Sequence, residues 1–461
     1  MLSIPGIVLL VVFVYVRPQE IFTSWQAVPL LYVFVALALV GLVLDVRLGF
    51  VRIRPTRQLA ITAALLLWCI VTVVIKAPWA LGDLVRAIAI PATLLLLIAC
   101  GAQSFRALEV LLATLLALVL FVSFVGVEQG FSAPECHVVD WKQGADVGVP
   151  DGRPCTTRRS CEGEGAAAGA DYLCEKPGLF GTSSGAGGRV RYRGILQDPN
   201  ELSLAACAAI PFAFAFFERR RNALRAVVLV VTLVLVGLCT VFSQSRGGQL
   251  VFLTAIGVYF VRRFGWRGVL LGAALAVPIL LFGGRSGEEA DSSADERTMC
   301  LYAGMEMFRS SPIFGVGFDQ FTEHHQLTAH NSFVLVAAEL GVVGMLLWVT
   351  LIYLAIKAPI VALVRAGRGQ ITLAPVARSW AVALAASLAS MYVGIFFLSF
   401  SYHHVLWISL GLSGSFYAAI RRHEPRFEVE LGWREVTALT GACLALLVAI
   451  TAYAGWRASS I

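Results

Sequence analysis

The residues best suited to chemistry lie in one stretch of the chain, residues 297–344. It contains, in order, Arg297, a Ser-Pro turn, a Gly-Val-Gly sequence and a His-Asn pair at 330–331. An apolar segment that holds a single carboxylate, Glu339, follows directly. A guanidinium suits phosphate oxygens, and an imidazole can accept a proton from a hydroxyl at neutral pH. These polar groups next to an apolar helix indicate chemistry on a lipid-linked substrate at a membrane surface.

The composition predicts a polytopic membrane protein of the all-α class. The chain has 461 residues, of which 58% are hydrophobic and 14% charged, and its mean hydropathy is +0.79. Soluble domains contain about 25% charged residues. Because lipid offers backbone amides no partners, each apolar span must be helical. The net charge of +7 comes mostly from arginines in short loops, as the positive-inside rule expects, so it does not indicate a nucleic-acid partner.

Apolar segments near the length of about 20 residues that crosses a bilayer recur along the chain. They predict about 12–13 transmembrane helices. The segments lie at about 4–16, 27–44, 59–75, 80–99, 108–127, 201–217, 224–242, 249–261, 267–283, 332–356, 379–398, 402–420 and 436–455.

Basic residues mark alternate loops, which predicts one orientation for the whole chain. The arginine-rich loops include residues 47–57, 219–225 and 421–434. Placing them all in the cytoplasm puts the N-terminus inside, the C-terminus outside, and segments 128–200 and 284–331 on the outer face. The predicted regions are N-terminal transmembrane helices at 1–127, a cysteine-containing loop at 128–200, central helices at 201–283, a catalytic loop at 284–331 and C-terminal helices at 332–461.

Four cysteines fall in the first outer segment, at Cys136, Cys155, Cys161 and Cys174. In an exported segment they predict two disulfides, and three pairings are possible. The alternative is four free thiols in an irregular insert. No spacing matches a zinc site, so no metal is expected.

Alternating arginines precede the central helices, in the sequence Arg189-Val-Arg191-Tyr-Arg193-Gly. On the outer face they form a positive field suited to phosphate. The alternative is that they are interfacial arginines whose stems lie along apolar surface. Asp198 or Asn200 is expected to cap the helix that follows.

Arg246 lies in a second short polar sequence, Ser-Gln-Ser-Arg-Gly-Gly. The two glycines suit a tight turn between helices. Arg246 either contacts phosphate or a carbonyl or only caps the hairpin.

His330 is the strongest candidate for a catalytic base. Asn331 has the position of an N-cap, which places His330 beside a helix N-terminus. The partial positive charge there favours neutral imidazole, the form that accepts a proton. Glu339 lies inside the following span, where a carboxylate either contacts substrate or pairs with an arginine.

These segments resemble the motifs of the O-antigen ligase/polymerase family. The resemblance consists of an arginine followed by Pro-x-x-Gly-x-Gly, His-Asn and Glu-x-Gly within 297–344, and of Ser-Arg-Gly at 245–247. Arg193-Gly194 before Pro199-Asn200 also resembles the family's Arg-x-Gly before Pro-Asn. It implies a GT-C-like fold with large periplasmic loops in the bacterial inner membrane. The implied donor is an undecaprenyl-pyrophosphate-linked glycan, and the acceptor is lipid A-core, a lipid-linked repeat unit or another glycan.

The resemblance also implies roles for single residues. Arg193 and Arg297 would bind the pyrophosphate, and His330 would activate the acceptor hydroxyl. The substrate contacts would come from Arg191, Arg246, Asn331 and Glu339. The transfer would be inverting and need neither metal nor cofactor. Polymerase and ligase reactions stay open, and the insert at 128–200 departs from the family pattern.

A transporter of an anion or of a lipid-linked glycan is the alternative from another class. Transport predicts ionisable residues at the membrane midplane and two related halves. Here the motif residues lie toward one surface and the halves differ, which favours an enzyme.

Overall fold

A computed structural model describes residues 1–139, 148–163, 165–270, 272–274 and 288–458. The chain is an all-α polytopic membrane protein, as the composition predicts. The helices used below are α1 (Ser3–Val16), α2 (Leu30–Arg47), α3 (Arg57–Lys76), α4 (Leu81–Gly101), α5 (Phe105–Phe131), α6 (Pro199–Ala208), α7 (Ile210–Arg219), α8 (Ala223–Phe242), α9 (Arg246–Phe264), α10 (Glu288–Ser310), α11 (Ser332–Gly367), α12 (Pro375–Ile395), α13 (His404–His423) and α14 (Trp433–Ala458).

Fewer helices than expected are long and apolar enough to cross a bilayer. Within the described ranges there are 9, at Leu30–Arg47, Arg57–Lys76, Pro78–Gly101, Phe105–Phe131, Pro199–Arg219, Ala223–Phe242, Ser332–Gly367, Pro375–Ile395 and Trp433–Arg457. Three other predicted spans, at 4–16, 249–261 and 402–420, also fold as helices, but these helices are shorter or less apolar than the 9 candidate spans. α1 has only 14 residues, and arginines in the last turns of α9 and α13 lower their hydropathy. The predicted span at 267–283 lies mostly outside the described residues.

The chain divides into two compact units. The first unit contains Met1–Leu10, Tyr32–Leu111 and Arg285–Ile461, and the second contains Val11–Leu31 and Leu112–Gly284. In the first unit, α4 and α13 pack closely through small residues. A Cβ added at Gly414 would lie 2.7 Å from that of Ala99, and one at Gly411 would lie 3.0 Å from that of Ile98. Such small residues let membrane helices approach each other.

In the second unit, the segment predicted as a cysteine-containing loop carries a small antiparallel sheet. Strands β1 (Glu135–Val139), β2 (Gly148–Pro154) and β3 (Tyr172–Glu175) pair in the order β2-β1-β3. The short strands β4 (Pro177–Gly178) and β5 (Thr182–Ser183) form a second pair. The sheet gives the segment a core of its own, in which Tyr172 packs against buried cysteines.

Two disulfides hold this core. The structure pairs Cys136 with Cys161 and Cys155 with Cys174, with Cα–Cα distances of 5.5 and 5.9 Å. Both lie within the ordinary range for a disulfide. The structure thus selects Cys136–Cys161 with Cys155–Cys174 from the three pairings that the sequence leaves open.

Removing the first bridge is expected to loosen the segment. Cys136→Ala/Cys161→Ala opens a loop with a sequence separation of 25, and a bridge of this span contributes about 3 kcal/mol. Limited proteolysis of the purified protein should then cut the segment faster. The matched control is Cys443→Ala, which removes a buried free thiol and should leave the rate unchanged. Equal cleavage rates in all three proteins would contradict the prediction.

Candidate functional site

In the first unit, the helix that follows the His-Asn pair is broken within its span. Gly341 in α11 has φ 65° and ψ −169°, a conformation that essentially only glycine adopts. The break removes the intrahelical partners of neighbouring carbonyls. In a membrane helix such groups must find other partners.

The loop that follows α10 supplies most of those partners. Four hydrogen bonds cross between the break and its surroundings: Val316 N to Ala338 O at 2.9 Å, Gly317 N to Glu339 O at 3.0 Å, Val342 N to Pro312 O at 2.8 Å and Trp68 Nε1 to Leu340 O at 2.8 Å. Trp68 of α3 also stacks on Phe314 of the loop, with ring centroids 5.4 Å apart. We call the loop Pro312–Gly317 together with Glu339–Gly341 the clamp.

Glycines make the close approach within the clamp possible. A Cβ at Gly341 would lie 2.1 Å from the carbonyl oxygen of Ile313, and one at Gly315 would lie 2.3 Å from the carbonyl carbon of Glu339. Gly315 and Gly317 also have positive φ angles, of 67° and 109°. The Gly-Val-Gly sequence makes a turn, and this turn is also one half of the clamp.

Glu339 belongs to the clamp and is 2% exposed. Its Oε1 accepts a hydrogen bond from Phe321 N at 3.1 Å, so the carboxylate holds the backbone that follows the Gly-Val-Gly turn. This contact differs from the predicted pairing with an arginine. It favours a positioning role over direct contact with substrate.

Asn331 caps α11, as the sequence predicts. Its Oδ1 accepts from Phe333 N and Val334 N at 2.9 and 3.0 Å, and its Nδ2 donates to Phe396 O at 2.8 Å. Asn331 is 3% exposed, and both ends of its amide are engaged. These contacts also favour a positioning role.

Ser332 fastens the start of α11 to the segment before α13. Its Oγ donates to Leu398 O at 2.6 Å and accepts from Phe400 N at 2.8 Å. Ser401 Oγ donates to Ser332 O at 3.0 Å. Ser332, two residues after the candidate base, therefore forms three hydrogen bonds that fix the start of the helix.

His330 itself has a left-handed backbone, with φ 49°. Such a conformation is uncommon outside glycine, although His, Asn and Asp adopt it more often than other residues. The side chain is half-buried, whereas His324 is exposed. The cap at Asn331 and the bonds of Ser332 fix the backbone that carries the imidazole, which lies just outside the helix N-terminus.

Arg297 lies within α10 and is half-buried. The helix ends at Ser310, directly before the Ser-Pro turn, as expected. A depression of about 670 Å³ beside α10 is lined by Asp295, Glu296 and His325, among others. Asp295 in its wall pairs with Arg457 at 3.4 Å.

In the second unit, Arg193 is held between backbone carbonyls. Its guanidinium donates to Glu20 O and Phe180 O. Burial lowers its pKa. A Cβ at Gly194 would lie 2.3 Å from Nε of Arg17, which also pairs with Glu20 at 2.7 Å. Arg17 and Arg193 therefore both contact Glu20, and Arg17 also lies beside Gly194. Sequence analysis missed Arg17, whose only signal is an arginine before proline where an apolar span ends.

Arg191 occupies a structural position. It is 8% exposed and forms an ion pair with Glu175 at 3.3 Å. Its Nε donates to Ser183 O at 3.1 Å. These contacts tie the arginine to the small β segment, so they favour a structural role over substrate binding.

Arg189 connects the arginine segment to the central helices. It donates to Ser243 O at 2.9 Å and to Asn200 Oδ1 at 3.0 Å. Asp198 caps α6 by accepting from Asn200 N at 2.6 Å, which confirms one of the two predicted caps. The segment is anchored at both ends.

Arg246 is exposed at the first position of α9. The prediction that its glycines form the turn is wrong. Gln244 has the positive φ, of 51°, and Gly248 is helical, capped by Ser245 Oγ at 3.0 Å. Gly248 is required for another reason, because a Cβ there would lie 2.3 Å from Ser203 Oγ.

Comparison with known proteins places most of these residues in one recognised domain. The model of the O-antigen ligase family matches residues 231–349. This range contains Arg246, Arg297, His330 and the clamp, whereas Arg193 lies outside it. None of the curated proteins matches the chain. Residues 231–349 of the chain are therefore similar to the O-antigen ligase family.

Proposed function

We propose that this protein transfers a glycan from undecaprenyl pyrophosphate to a sugar hydroxyl at the periplasmic face of the bacterial inner membrane. The family match supports an enzyme of the ligase or polymerase type in general. One observation carries the more specific proposal. His330 lies in the matched segment, at a helix N-terminus whose cap and serine contacts fix its backbone.

The proposed reaction is a direct displacement. The acceptor hydroxyl gives its proton to His330, and its oxygen forms a bond to the anomeric carbon of the donor sugar. The bond from that carbon to the pyrophosphate oxygen breaks at the same time, so the configuration inverts. Undecaprenyl pyrophosphate leaves with the bonding electrons, and guanidiniums stabilise its negative charge.

Arg297 and Arg193 remain the candidate ligands of the pyrophosphate. Arg193 has the better-defined surroundings, since Arg17 approaches the same segment. A bound phosphate would offer the guanidinium of Arg193 charged acceptors in place of the neutral carbonyls of Glu20 and Phe180, and charge-assisted hydrogen bonds are about twice as strong. When no glycan donor is bound, Glu20 neutralises part of the positive charge of the two arginines.

Arg193→Ala is expected to lower transfer about 10- to 100-fold, because it removes a planar donor to a charged group. Arg193→Lys should restore only part of the transfer activity, since an ammonium does not reproduce the forked pair of N–H donors of a guanidinium. Transfer is measured in membrane vesicles at several donor concentrations, with protein amounts equalised. A donor-binding role predicts a raised KM for donor.

The matched control is Arg220→Ala, which removes an exposed arginine in the same unit. Arg193 also bonds to backbone carbonyls, so the proteolysis pattern of the disulfide segment serves as a folding check. Wild-type KM and kcat in a normally folded Arg193→Ala protein would exclude the role.

The reaction class is tested by deleting the gene and separating the cell's lipopolysaccharide and lipid-linked glycans on a gel. Long chains that accumulate on undecaprenyl pyrophosphate, with core lipid lacking glycan, indicate a ligase. Single repeats on the core, or lost secreted polymer with short lipid-linked units, indicate a polymerase. Unchanged glycans in the deletion strain would refute the proposal.

A further inference from the structure

A positively charged cavity lies in the first unit, away from the His-Asn pair. It has a volume of about 320 Å³ and is formed by the segment before α3, the end of α4 and the last turns of α13. Four arginines line it: Arg52, Arg54, Arg421 and Arg422. Within the described part of the chain, no carboxylate lines the cavity. Arg52 and Arg54 lie in a loop and Arg421 and Arg422 in the last turn of α13, and the sequence predicts that both segments face the cytoplasm.

Several of the donors around the cavity are available to a ligand. Arg54 and Arg422 are exposed, and neither side chain forms a hydrogen bond or ion pair with the described residues. Arg421 lies over the ring of Tyr417, at 5.8 Å from its centroid, and contacts Glu428 at 3.5 Å. Its Nε is buried without a hydrogen-bond partner among the described residues.

Beside the arginines, the cavity wall has a polar part, made by Thr56, Gln58 and Gln103, and an apolar part. The apolar part includes Leu59 of α3, Ala99 of α4, Ala418 of α13 and Phe50, and Phe50 is 49% exposed. The arginines therefore lie next to apolar surface at the ends of helices that are apolar enough to span a membrane. This combination suits a molecule with an anionic head and a hydrocarbon tail.

We propose that this cavity binds the phosphate headgroup of an anionic phospholipid. The arginines would contact the phosphate oxygens, and the acyl chains would lie along the apolar wall. The apolar part of the wall, with the exposed Phe50, argues for a lipid over a soluble phosphate, which needs only the charged and polar parts. This proposal does not depend on the proposed glycan transfer.

The test uses the purified full-length protein in detergent. A short-chain phosphatidylglycerol and a phosphatidylcholine of the same chain length are titrated, and the Tm is followed. We expect the anionic lipid to raise the Tm at lower concentrations than the zwitterionic lipid does. Arg54→Gln/Arg422→Gln should weaken its apparent affinity about 25-fold, since each basic residue near an anionic lipid contributes about fivefold.

The control is Arg220→Gln/Arg221→Gln, which makes the same charge change at two exposed positions and should leave lipid affinity unchanged. Equal Tm shifts with the anionic and the zwitterionic lipid would overturn the proposal, and so would an equal loss of lipid affinity in the two double variants. Glycerol phosphate is titrated as well. If it binds as tightly as the phosphatidylglycerol, the cavity is a site for soluble anions and the assignment to a lipid is wrong.

Discussion

Replacing Gly341 with alanine is expected to destabilise the protein by about 3 kcal/mol or more, and to abolish glycan transfer with it. The backbone there has φ 65° and ψ −169°, and the new Cβ would lie 2.1 Å from the carbonyl oxygen of Ile313. The chain must move, and the hydrogen bonds of the clamp then lose their geometry. The Tm in detergent and the amount of protein in the membrane measure the loss.

Gly367→Ala is the matched control, since it lies in the same helix and its added Cβ meets nothing within 4 Å. Gly315→Ala should resemble Gly341→Ala, because it clashes with the backbone of Glu339 from the other side of the clamp. Since both variants disrupt one structure, their combined effect should be less than the sum. A Gly341→Ala protein with the wild-type Tm would show that the clamp does not constrain the fold.

Replacing His330 with asparagine is expected to reduce transfer about 100- to 10,000-fold while the protein stays folded, because general-base catalysis contributes that much. Asparagine accepts the left-handed backbone at this position more readily than alanine does. It cannot take the proton from the acceptor hydroxyl. Transfer from labelled lipid-linked donor is measured beside the Tm, so that loss of chemistry is separated from loss of structure.

His324→Asn is the control, since His324 is exposed in the same segment and lies outside the motif. Its transfer rate and Tm should match those of the wild-type protein. If His330→Asn transfers glycan at the wild-type rate, His330 has only a structural role. In that case the base must be sought elsewhere in the matched domain.

Local features of the fold could be predicted from the sequence. Asn331 and Asp198 were predicted as caps because each precedes a helical segment, and a cap needs only its own side chain and the next few backbone amides. The long apolar segments likewise predict membrane helices, because the length of a bilayer crossing is set by lipid. α1, α9 and α13 fall below the length or hydropathy of the 9 candidate spans in the described residues, because α1 is short and α9 and α13 end in arginines.

Features that depend on distant contacts could not be predicted. The apolar segment of α11 is consistent with one continuous helix, and glycine within it is unremarkable until Ile313 is brought against it. Arg17 is separated from Gly194 by most of the first half of the chain. Disulfide pairing depends on the register of β1 and β3, in which Cys136 lies opposite Cys174 although the two do not bond.

The order of the disulfides along the chain has a consequence for proteolysis. The two bridges interleave, because Cys155 lies between Cys136 and Cys161, and Cys161 lies between Cys155 and Cys174. A single cut anywhere between Cys136 and Cys174 therefore leaves the two fragments covalently joined until they are reduced. A protease added to the side of the membrane that bears this segment would thus leave one band on a non-reducing gel and two bands on a reducing gel. Added to the other side, the protease would produce no such difference between the two gels.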